Sequence, residues 1–450
     1  MSEMKVFEKA IKERNVKFIR KIFGSSIKDK NWLDGWIYFP RKKDFEKKIE
    51  KIYEEIKDFD NFVFVGFGGS INGIKIFEKI SKKIQIIDSL DPEILKKLVK
   101  LNKERTKIIV ISKSMKTFET LRLIKTLENF FPKENFIFLT YKQNVKKVEN
   151  LGYPSKKVFD YRFDESLDFA GRFSYPFSLL FFLPLLIHLW KKERVFKIYE
   201  NFLKFMNSNL LKVLEIANQI SLAIYQNPKF NLLIKNEFNG MEEWIYQIFL
   251  ESLGSKRKNY EPKIYINKKV FKKTIDFRKF SFSKKFWTDL IVFIYLIEWI
   301  IALVGLYKKI NFVNQKEVER YKKIVRKVEE KRKIEKLNIQ KLKKRIKNKK
   351  FLDVIFYGYT SSKKLSKLEK QFEKKLRIPT KVFIGNNWNH FGFQAASKSK
   401  ETFYLLLVKE KYNLEIPRFK REELAKNVKL MKKIALATRK ALKNSLLFKI

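Results

Sequence analysis

The chain has no cysteine and only two histidines among its 450 residues. The absence of cysteine excludes disulfide bonds, thiolate metal sites and cysteine nucleophiles, and it is compatible with a reducing compartment. His188 lies in an apolar run and is interpreted as a packed core residue. Neither a disulfide framework nor cysteine chemistry can therefore carry the function.

Long apolar runs are also scarce. Residues 177–190 are too few to span a bilayer, and residues 290–307 are barely enough and include Glu298, so both runs are interpreted as buried helices. The first residues are charged and helix-like, without the apolar core and small-residue cleavage site of an export signal. We therefore expect a cytoplasmic protein with no membrane partner.

Acidic residues are outnumbered, with 49 Asp and Glu against 100 Lys and Arg, a formal charge of +51 and a pI of about 10.0. Such a balance is typical of proteins that bind nucleic acid or anionic surfaces. The lysines, however, are spread along the whole chain, which indicates a general compositional bias rather than a dedicated nucleic-acid patch. The same positive field would attract a dianionic sugar phosphate.

The pattern after residue 45 alternates short β-rich runs with helical segments. NFVFVGFGGS, KKIQIIDSLDP, TKIIVISKS and NFIFLTYKQ each precede a helix, with Gly, Ser or Asp-Pro at the junction. This rhythm predicts a parallel, doubly wound α/β sheet, whose ligands bind at the carboxyl ends of the strands.

The second half begins with mostly helical sequence, in which residues 231–235 are predicted as a strand. The dense Lys, Arg and Glu run at 319–350 is interpreted as an exposed helix rather than a linker. Strand-like DVIFYGYT, KVFIGNN and FYLLLVK follow, with a last basic helix from about Glu422. We predict an N-terminal helical arm at 1–45, a first α/β unit at 46–175 and a second at 176–450.

Two loops place small and hydroxyl residues where a strand leads into a helix. Small residues in the first, at 66–70, let backbone amides approach an anion at a helix N-terminus. The second, at 112–120, contains four hydroxyls and two lysines. Hydroxyls and helix-end amides can hold a non-reacting phosphate without a metal. Ordinary N-capping is the alternative, but the two loops together favour phosphate binding.

At these loops the sequence resembles the phosphoglucose isomerase family, whose first sugar-isomerase (SIS) subdomain has a Gly-Gly-Ser loop and then a Ser-Lys-Thr or Ser-Lys-Ser loop. The resemblance implies two doubly wound parallel-sheet SIS subdomains with flanking helices. Met115 and Lys116 stand where the family has a small residue or threonine. The substrate-binding residues that the two loops imply are Gly69, Ser70, Ser112, Lys113, Ser114, Thr117 and Thr120.

Residues 168–174, DFAGRFS, are similar to the family's Gly-Gly-Arg-Tyr/Phe-Ser signature, with Ala170 in place of the first glycine. The resemblance implies that Arg172 stabilises an enediolate. Removing a proton next to a carbonyl creates an oxyanion, which a fixed guanidinium can stabilise without reorganising. Without the resemblance, a single arginine would be interpreted as a surface residue.

The run WIYQIFLESLGSK, residues 244–256, looks like the family segment that ends in Glu-Ser-x-Gly-Lys. On that resemblance Glu251 is the catalytic base and Gln247, one helical turn earlier, is a substrate contact. A carboxylate suits the task because it can take a proton from C2 and return it to C1.

Residues 311–322, NFVNQKEVERYK, are similar to the family's Asn-Pro-Phe-Asp-Gln-x-x-Val-Glu-x-x-Lys. Lys322 then assists sugar-ring opening and Gln315 contacts substrate. His390 lies in GNNWNHFGFQ, residues 385–394, which resembles the histidine segment found after the lysine motif in isomerase halves of fused transaldolase and isomerase proteins. His390 is accordingly the predicted ring-opening acid/base, with a structural histidine as the alternative.

The resemblance covers about residues 62–417 and implies metal-free aldose-ketose isomerisation of glucose 6-phosphate and fructose 6-phosphate, with no cofactor. It also implies a homodimer in which the histidine enters the neighbouring subunit's site. Two alternatives stay open: a non-catalytic sugar-phosphate-binding protein of the same fold, and a basic nucleic-acid-binding protein.

Overall fold

The computed structural model of the chain describes residues 3–27, 35–169, 171–255, 260–313, 316–328, 334–396 and 399–450. Side chains are described over the same ranges apart from 25–27 and 316–320. Gln315, the predicted substrate contact, lies outside the described residues. The α/β prediction is confirmed, because parallel sheets alternate with helices along the chain.

The first sheet is parallel and follows the strand order β2-β1-β3-β4-β5. Its strands are almost entirely buried, as apolar runs covered on both faces require. In this order the chain moves in opposite directions from β1 and β3, and the crevice between them is where such sheets bind ligands. The strands are β1 (Asn61–Val65), β2 (Ile84–Ile87), β3 (Thr106–Ile111), β4 (Phe136–Leu139) and β5 (Val158–Phe159).

Two further parallel sheets belong to the second half, with orders β7-β6-β8 and β10-β9-β11-β12. The predicted strands correspond to β6, β9, β10 and β11, whereas β7, β8 and β12 were not predicted. The strands are β6 (Lys229–Leu233), β7 (Lys263–Ile266), β8 (Thr274–Asp276), β9 (Phe351–Tyr357), β10 (Thr380–Ile384), β11 (Thr402–Val408) and β12 (Ser445–Lys449). The division into domains stays a prediction.

Helices cover the sheets and account for most of the remaining described residues. They are α1 (Glu3–Lys12), α2 (Val16–Ile27), α3 (Lys42–Ile56), α4 (Lys75–Ile80), α5 (Phe118–Leu127), α6 (Val145–Glu149), α7 (Leu179–Leu189), α8 (Lys192–Gln226), α9 (Glu242–Leu253), α10 (Phe286–Lys308), α11 (Lys316–Lys327), α12 (Ile339–Ile346), α13 (Ser362–Leu376), α14 (Gly385–Asn389), α15 (Gly392–Ala396) and α16 (Arg421–Ala441). The charged run predicted as an exposed helix contains most of α11 and all of α12.

The two apolar runs form α7 and α10, and both are buried. Among the described residues, α10 is long and apolar enough to cross a membrane, but it is mostly buried inside the fold, as core helices of soluble proteins also are. Burial raises the pKa of Glu298 on α10 well above its ordinary value. A carboxyl group in such surroundings is neutral, which removes the cost of burying a charge.

Candidate active site

The glycine-rich loop after β1 lies at the centre of the site. Gly68 has a φ of +59°, a conformation that favours glycine, and its backbone N–H donates to Asn387 Oδ1 at 2.8 Å. A Cβ on Gly68 would lie 2.7 Å from the Cβ of His390 and 3.4 Å from Nε2 of Gln247. A Cβ on Gly69 would lie 2.6 Å from the backbone nitrogen of Arg172. Because Gly68 and Gly69 have no side chains, Arg172, Gln247 and His390 can all pack against this loop.

The loop after β3 leads into the N-terminus of α5. Ser112 is buried and its Oγ accepts from the backbone N–H of Met115 at 3.1 Å, so this hydroxyl shapes the loop. Met115 has a φ of +49° and points its side chain into the core. Thr117 is the N-cap residue of α5, yet its side chain makes no capping hydrogen bond. Ordinary N-capping therefore does not account for Thr117.

Other residues predicted for the phosphate loop have structural partners instead. Lys113 Nζ lies 3.1 Å from Asp168 Oδ1, donates to the carbonyl of Phe169 and lies over the Tyr141 ring. Thr120 is buried in the first turns of α5. The Ser70 carbonyl accepts from Tyr175 at 3.3 Å.

Glu251 lies on α9 in a buried hydrogen-bonded group. Its Oε2 accepts from Gln247 Nε2 at 2.7 Å, and its Oε1 lies 3.3 Å from Arg172 Nη1. Arg172 also donates through Nε to Ser252 Oγ at 2.6 Å and through Nη2 to the carbonyl of Phe312. Burial lowers the pKa of Arg172 and Glu251 opposes that effect. The guanidinium is thus held against the predicted base.

A cavity of about 260 Å³ opens between the second loop, α11 and the turn that carries His390. Four residues predicted for the site line it, together with eight residues that were not predicted. The predicted four are Ser114, Thr117, Lys322 and His390, and the others include Lys116, Glu119, Tyr321, Arg326 and Asn389. Glu251, Arg172 and Gln247 do not line this cavity. Gln247 approaches it at Gly68, where an added Cβ would lie close to both Gln247 and His390.

Within the cavity, His390 Nε2 lies 3.3 Å from Oε1 of Glu119. The two groups lie within ion-pair distance, and among the described residues His390 Nε2 has no hydrogen-bond partner. Burial acts to raise the pKa of Glu119, but His390 and, less strongly, Lys322 outweigh it and the pKa is lowered. The Glu119 carboxylate therefore faces both the His390 imidazole and the Lys322 ammonium group.

All these contacts lie within one chain. His390 packs on Phe67, with ring centroids 5.7 Å apart, and completes the cavity formed by its own loops. These contacts favour a site within one chain, and the expectation that His390 enters a neighbouring subunit stays a prediction, which subunit mixing can test. Among the described residues, no group of three or more histidine, aspartate or glutamate side chains is arranged to hold a metal ion.

Residues 35–205, which contain both loops and Arg172, match the family model described as phosphoglucose isomerase. The match covers less than half of the chain, and over that part the chain is similar to the phosphoglucose isomerase family. The glucose-6-phosphate isomerase of Campylobacter jejuni is 27% identical in an alignment of 249 residues, and the match covers 50% of this chain and 55% of that protein. The chain thus spans about half the length of this curated relative.

The fold was also compared with solved structures. A hypothetical protein from Thermus thermophilus superimposes with a TM-score of 0.54 at 16% identity, covering 71% of this chain and 97% of that one. A glucose-6-phosphate isomerase from Chlamydia trachomatis gives a TM-score of 0.49 at 14% identity, over 72% of this chain and 85% of that one. At such identities the likeness concerns architecture alone.

Sequence reasoning missed two groups of residues in this site. Glu119 stands in the first turn of α5, where an acidic residue ordinarily stabilises the helix dipole. Asn72 and Asn387 stand beside the first loop and in the His390 segment, where isolated asparagines are typical of turns. Asn72 stands between Ile71 and Ile74, and a polar side chain between apolar neighbours is the signal that could have identified it.

Proposed function

We propose that this protein is a sugar-phosphate isomerase that interconverts glucose 6-phosphate and fructose 6-phosphate through an enediolate, without a metal. The observation that carries the proposal is the cavity that joins the hydroxyls of Ser114 and Thr117 to Lys322 and His390. A phosphate-binding end and an acid/base end are what a phosphorylated sugar requires of such a site.

In the proposed binding mode, the phosphate lies at the N-terminus of α5. Ser114 and Thr117 offer hydroxyl donors there, and the helix N-terminus favours a negative charge. Lys116 and Arg326 add cationic side chains to the same cavity. These charges suit a dianionic ligand, and they distinguish this site from one that relies on hydroxyls alone.

In the proposed chemistry, His390 and Lys322 open the sugar ring, with Glu119 as a positioning residue for the imidazole. Glu251 then takes the proton from C2 and returns it to C1. Arg172 is held 3.3 Å from Glu251 and supplies the positive charge that stabilises the enediolate. Gln247 and Gly69 position this second half of the site.

One observation favours the second candidate, a non-catalytic sugar-phosphate-binding protein. Glu251 and Arg172 are almost fully buried, with side-chain exposures of 6% and 1%, and are already satisfied by each other and by neighbouring groups. Neither lines the cavity. Catalysis requires substrate to reach Glu251 past the Gly68 loop, whereas binding alone does not.

The discriminating experiment is turnover of fructose 6-phosphate by the purified protein in a coupled assay, with exchange of the C2 proton followed by NMR in deuterium oxide. Turnover and exchange that are both lost in Glu251→Gln support the isomerase. Binding of fructose 6-phosphate without exchange supports the non-catalytic alternative. The exposed Glu237→Gln, just before α9, is the matched control.

A further inference from the structure

A continuous chain of buried side-chain amides connects Glu251 to an ion pair on the far side of the first loop. Gln247 Oε1 accepts from Asn72 Nδ2 at 2.8 Å, and Asn72 Oδ1 accepts from Asn387 Nδ2. Asn387 Nδ2 also donates to Glu243 Oε2 at 2.6 Å. The three amide side chains are at most 2% exposed, so water does not replace these bonds.

The orientation of the Asn387 amide is fixed at both ends by chemistry. A carboxylate only accepts hydrogen bonds, so the group facing Glu243 must be the NH₂. The backbone N–H of Gly68 only donates, so the group facing it must be the carbonyl oxygen. Both constraints give the same assignment, which removes the usual ambiguity of an asparagine amide.

The ionised state of Glu243 has its own support. Lys75 Nζ lies 2.6 Å from Glu243 Oε2 and 2.5 Å from Asp88 Oδ2. Burial acts to lower the pKa of Lys75, but the two carboxylates outweigh it and raise that pKa above its ordinary value. Lys75 is therefore a cation, and Glu243 is one of the two carboxylates that pair with it.

The orientation passes from link to link. Because Asn387 turns its NH₂ toward Asn72, Asn72 must present its carbonyl there and its own NH₂ to Gln247. Gln247 must then present its carbonyl to Asn72 and its NH₂ to Glu251, at 2.7 Å. A hydrogen bond donated to a carboxylate favours the ionised form, which is the form that can act as a base.

We propose that Asn72 and Asn387 are positioning residues for the base, fixing the amide of Gln247 so that it donates to Glu251. The proposal rests on the base role given to Glu251 in the proposed function. In this proposal the Lys75–Glu243 ion pair determines how the Gln247 amide is oriented, although three amide side chains separate it from Glu251.

The test is Asn72→Asp, a change that keeps the shape but removes the donor. The introduced carboxylate can accept from Asn387 but cannot donate to Gln247, so the Gln247 amide turns over and faces Glu251 with its carbonyl. We expect the proton affinity of Glu251 to rise about tenfold, which corresponds to one pH unit. The acid limb of kcat/KM should move to higher pH by the same amount.

The charge that Asn72→Asp introduces must be separated from the turning of the amide. In a Gln247→Met background the charge of Asp at position 72 is present, but there is no amide at position 247 to turn over. The pH shift caused by Asn72→Asp should therefore be less than half of its size in the native background. The other charged or titratable groups near Glu251 are the same in both backgrounds. They are Arg172, which contacts Glu251, and Glu119, Lys322 and His390 in the adjoining cavity. Equal shifts in both backgrounds, or no shift in either, would overturn the proposal.

Titration of Glu251 can be measured without turnover by ¹³C-carboxyl NMR of protein labelled at glutamate. The signal of Glu251 is assigned as the one that is lost in Glu251→Gln. A protein that shows the background-dependent shift but no isomerase activity would refute the proposed function alone. An active protein with equal shifts would refute the amide chain alone.

Should Asn72→Asp not fold, Asn72→Leu replaces it. The chain of amides predicts non-additivity: Gln247→Met should reduce kcat strongly in the native protein but add less than about twofold in the Asn72→Leu background, with KM little changed. Fully additive effects on kcat would overturn the proposal in this form of the test.

Discussion

His390 Nε2 and Glu119 Oε1 lie 3.3 Å apart inside a single chain. The contact pairs an imidazole from the turn after α14 with a carboxylate from the first turn of α5, and so joins the second half of the sequence to the loop after β3. Lys322 acts on the same carboxylate. Together, His390 and Lys322 lower the pKa of Glu119 below its ordinary value.

We predict that Glu119→Gln reduces stability in a pH-dependent manner. The folded-state pKa of Glu119 is lowered below the ordinary 4.5, so its stabilising effect is present above that value and is lost as the pH falls through the folded-state pKa. The free energy of unfolding of the native protein and of the variant should therefore differ at pH 7 and converge in acid. Urea unfolding at pH 7, 5 and 3 measures this, and a constant difference would contradict it.

A subunit-mixing experiment tests whether the site is complete within one chain. Inactive His390→Ala and Glu251→Gln proteins, mixed under conditions that exchange subunits, should stay inactive, because each chain then lacks one residue of its own site. A site shared between subunits would instead restore about a quarter of the native activity. Native mass spectrometry with one isotopically labelled protein verifies any exchange.

Removing both phosphate-loop hydroxyls that line the cavity should weaken sugar-phosphate binding. Hydrogen bonds to charged groups contribute about 1.5–3 kcal/mol each, so Ser114→Ala with Thr117→Ala should raise the inhibition constant of a sugar phosphate at least about tenfold. Ser366→Ala, on the exposed face of α13, is the control. An unchanged constant in the double variant would move the phosphate elsewhere.

Lys116 provides a separate test of the cationic side of the cavity. Lys116→Thr removes the charge and leaves a hydroxyl, and it should both weaken sugar-phosphate binding and make that binding less sensitive to salt. Titration calorimetry between about 50 and 300 mM salt measures both effects. If affinity and salt dependence match those of the native protein, Lys116 does not contact the phosphate.

Gly68→Ala should reduce both stability and activity. The added Cβ would stand 2.7 Å from the Cβ of His390, at a φ of +59° that alanine adopts only with strain of about 1–2 kcal/mol. The predicted loss of activity is larger than that of Gly171→Ala, which meets no atom within 4 Å. Thermal unfolding and kcat/KM of the two variants provide the comparison.

The sequence predicted the first sheet well because its strands are apolar runs that end in glycine, serine or Asp-Pro. β5 has only the residues Val158–Phe159 and gives too short a signal. β7 and β12 each carry a lysine that hides their alternation, although most of their residues are buried, and β8 has only three residues. Tertiary context thus decided the elements for which local pattern was weak.

The site was predicted in part for a similar reason. Local motifs identified Ser114, Thr117, Lys322 and His390, which the fold brings to one cavity. No local motif could indicate the bond between Asn72 and Asn387, which lie 315 positions apart in the chain. Likewise, burial of Arg172 against Glu251 follows from how α9 packs on the first unit, which spacing along the sequence does not encode.

The apolar helix α10 packs against α8, and the Ser221 hydroxyl on α8 donates to the Ile300 carbonyl on α10 at 3.1 Å. α8 precedes α10 in the chain, so during translation α8 leaves the ribosome before the apolar helix α10 that packs against it. A nascent chain that folds in this order shields its most membrane-like segment as that segment emerges. A circular permutant that starts between the two helices would reverse the order and expose α10 to aggregation or to the membrane-insertion machinery.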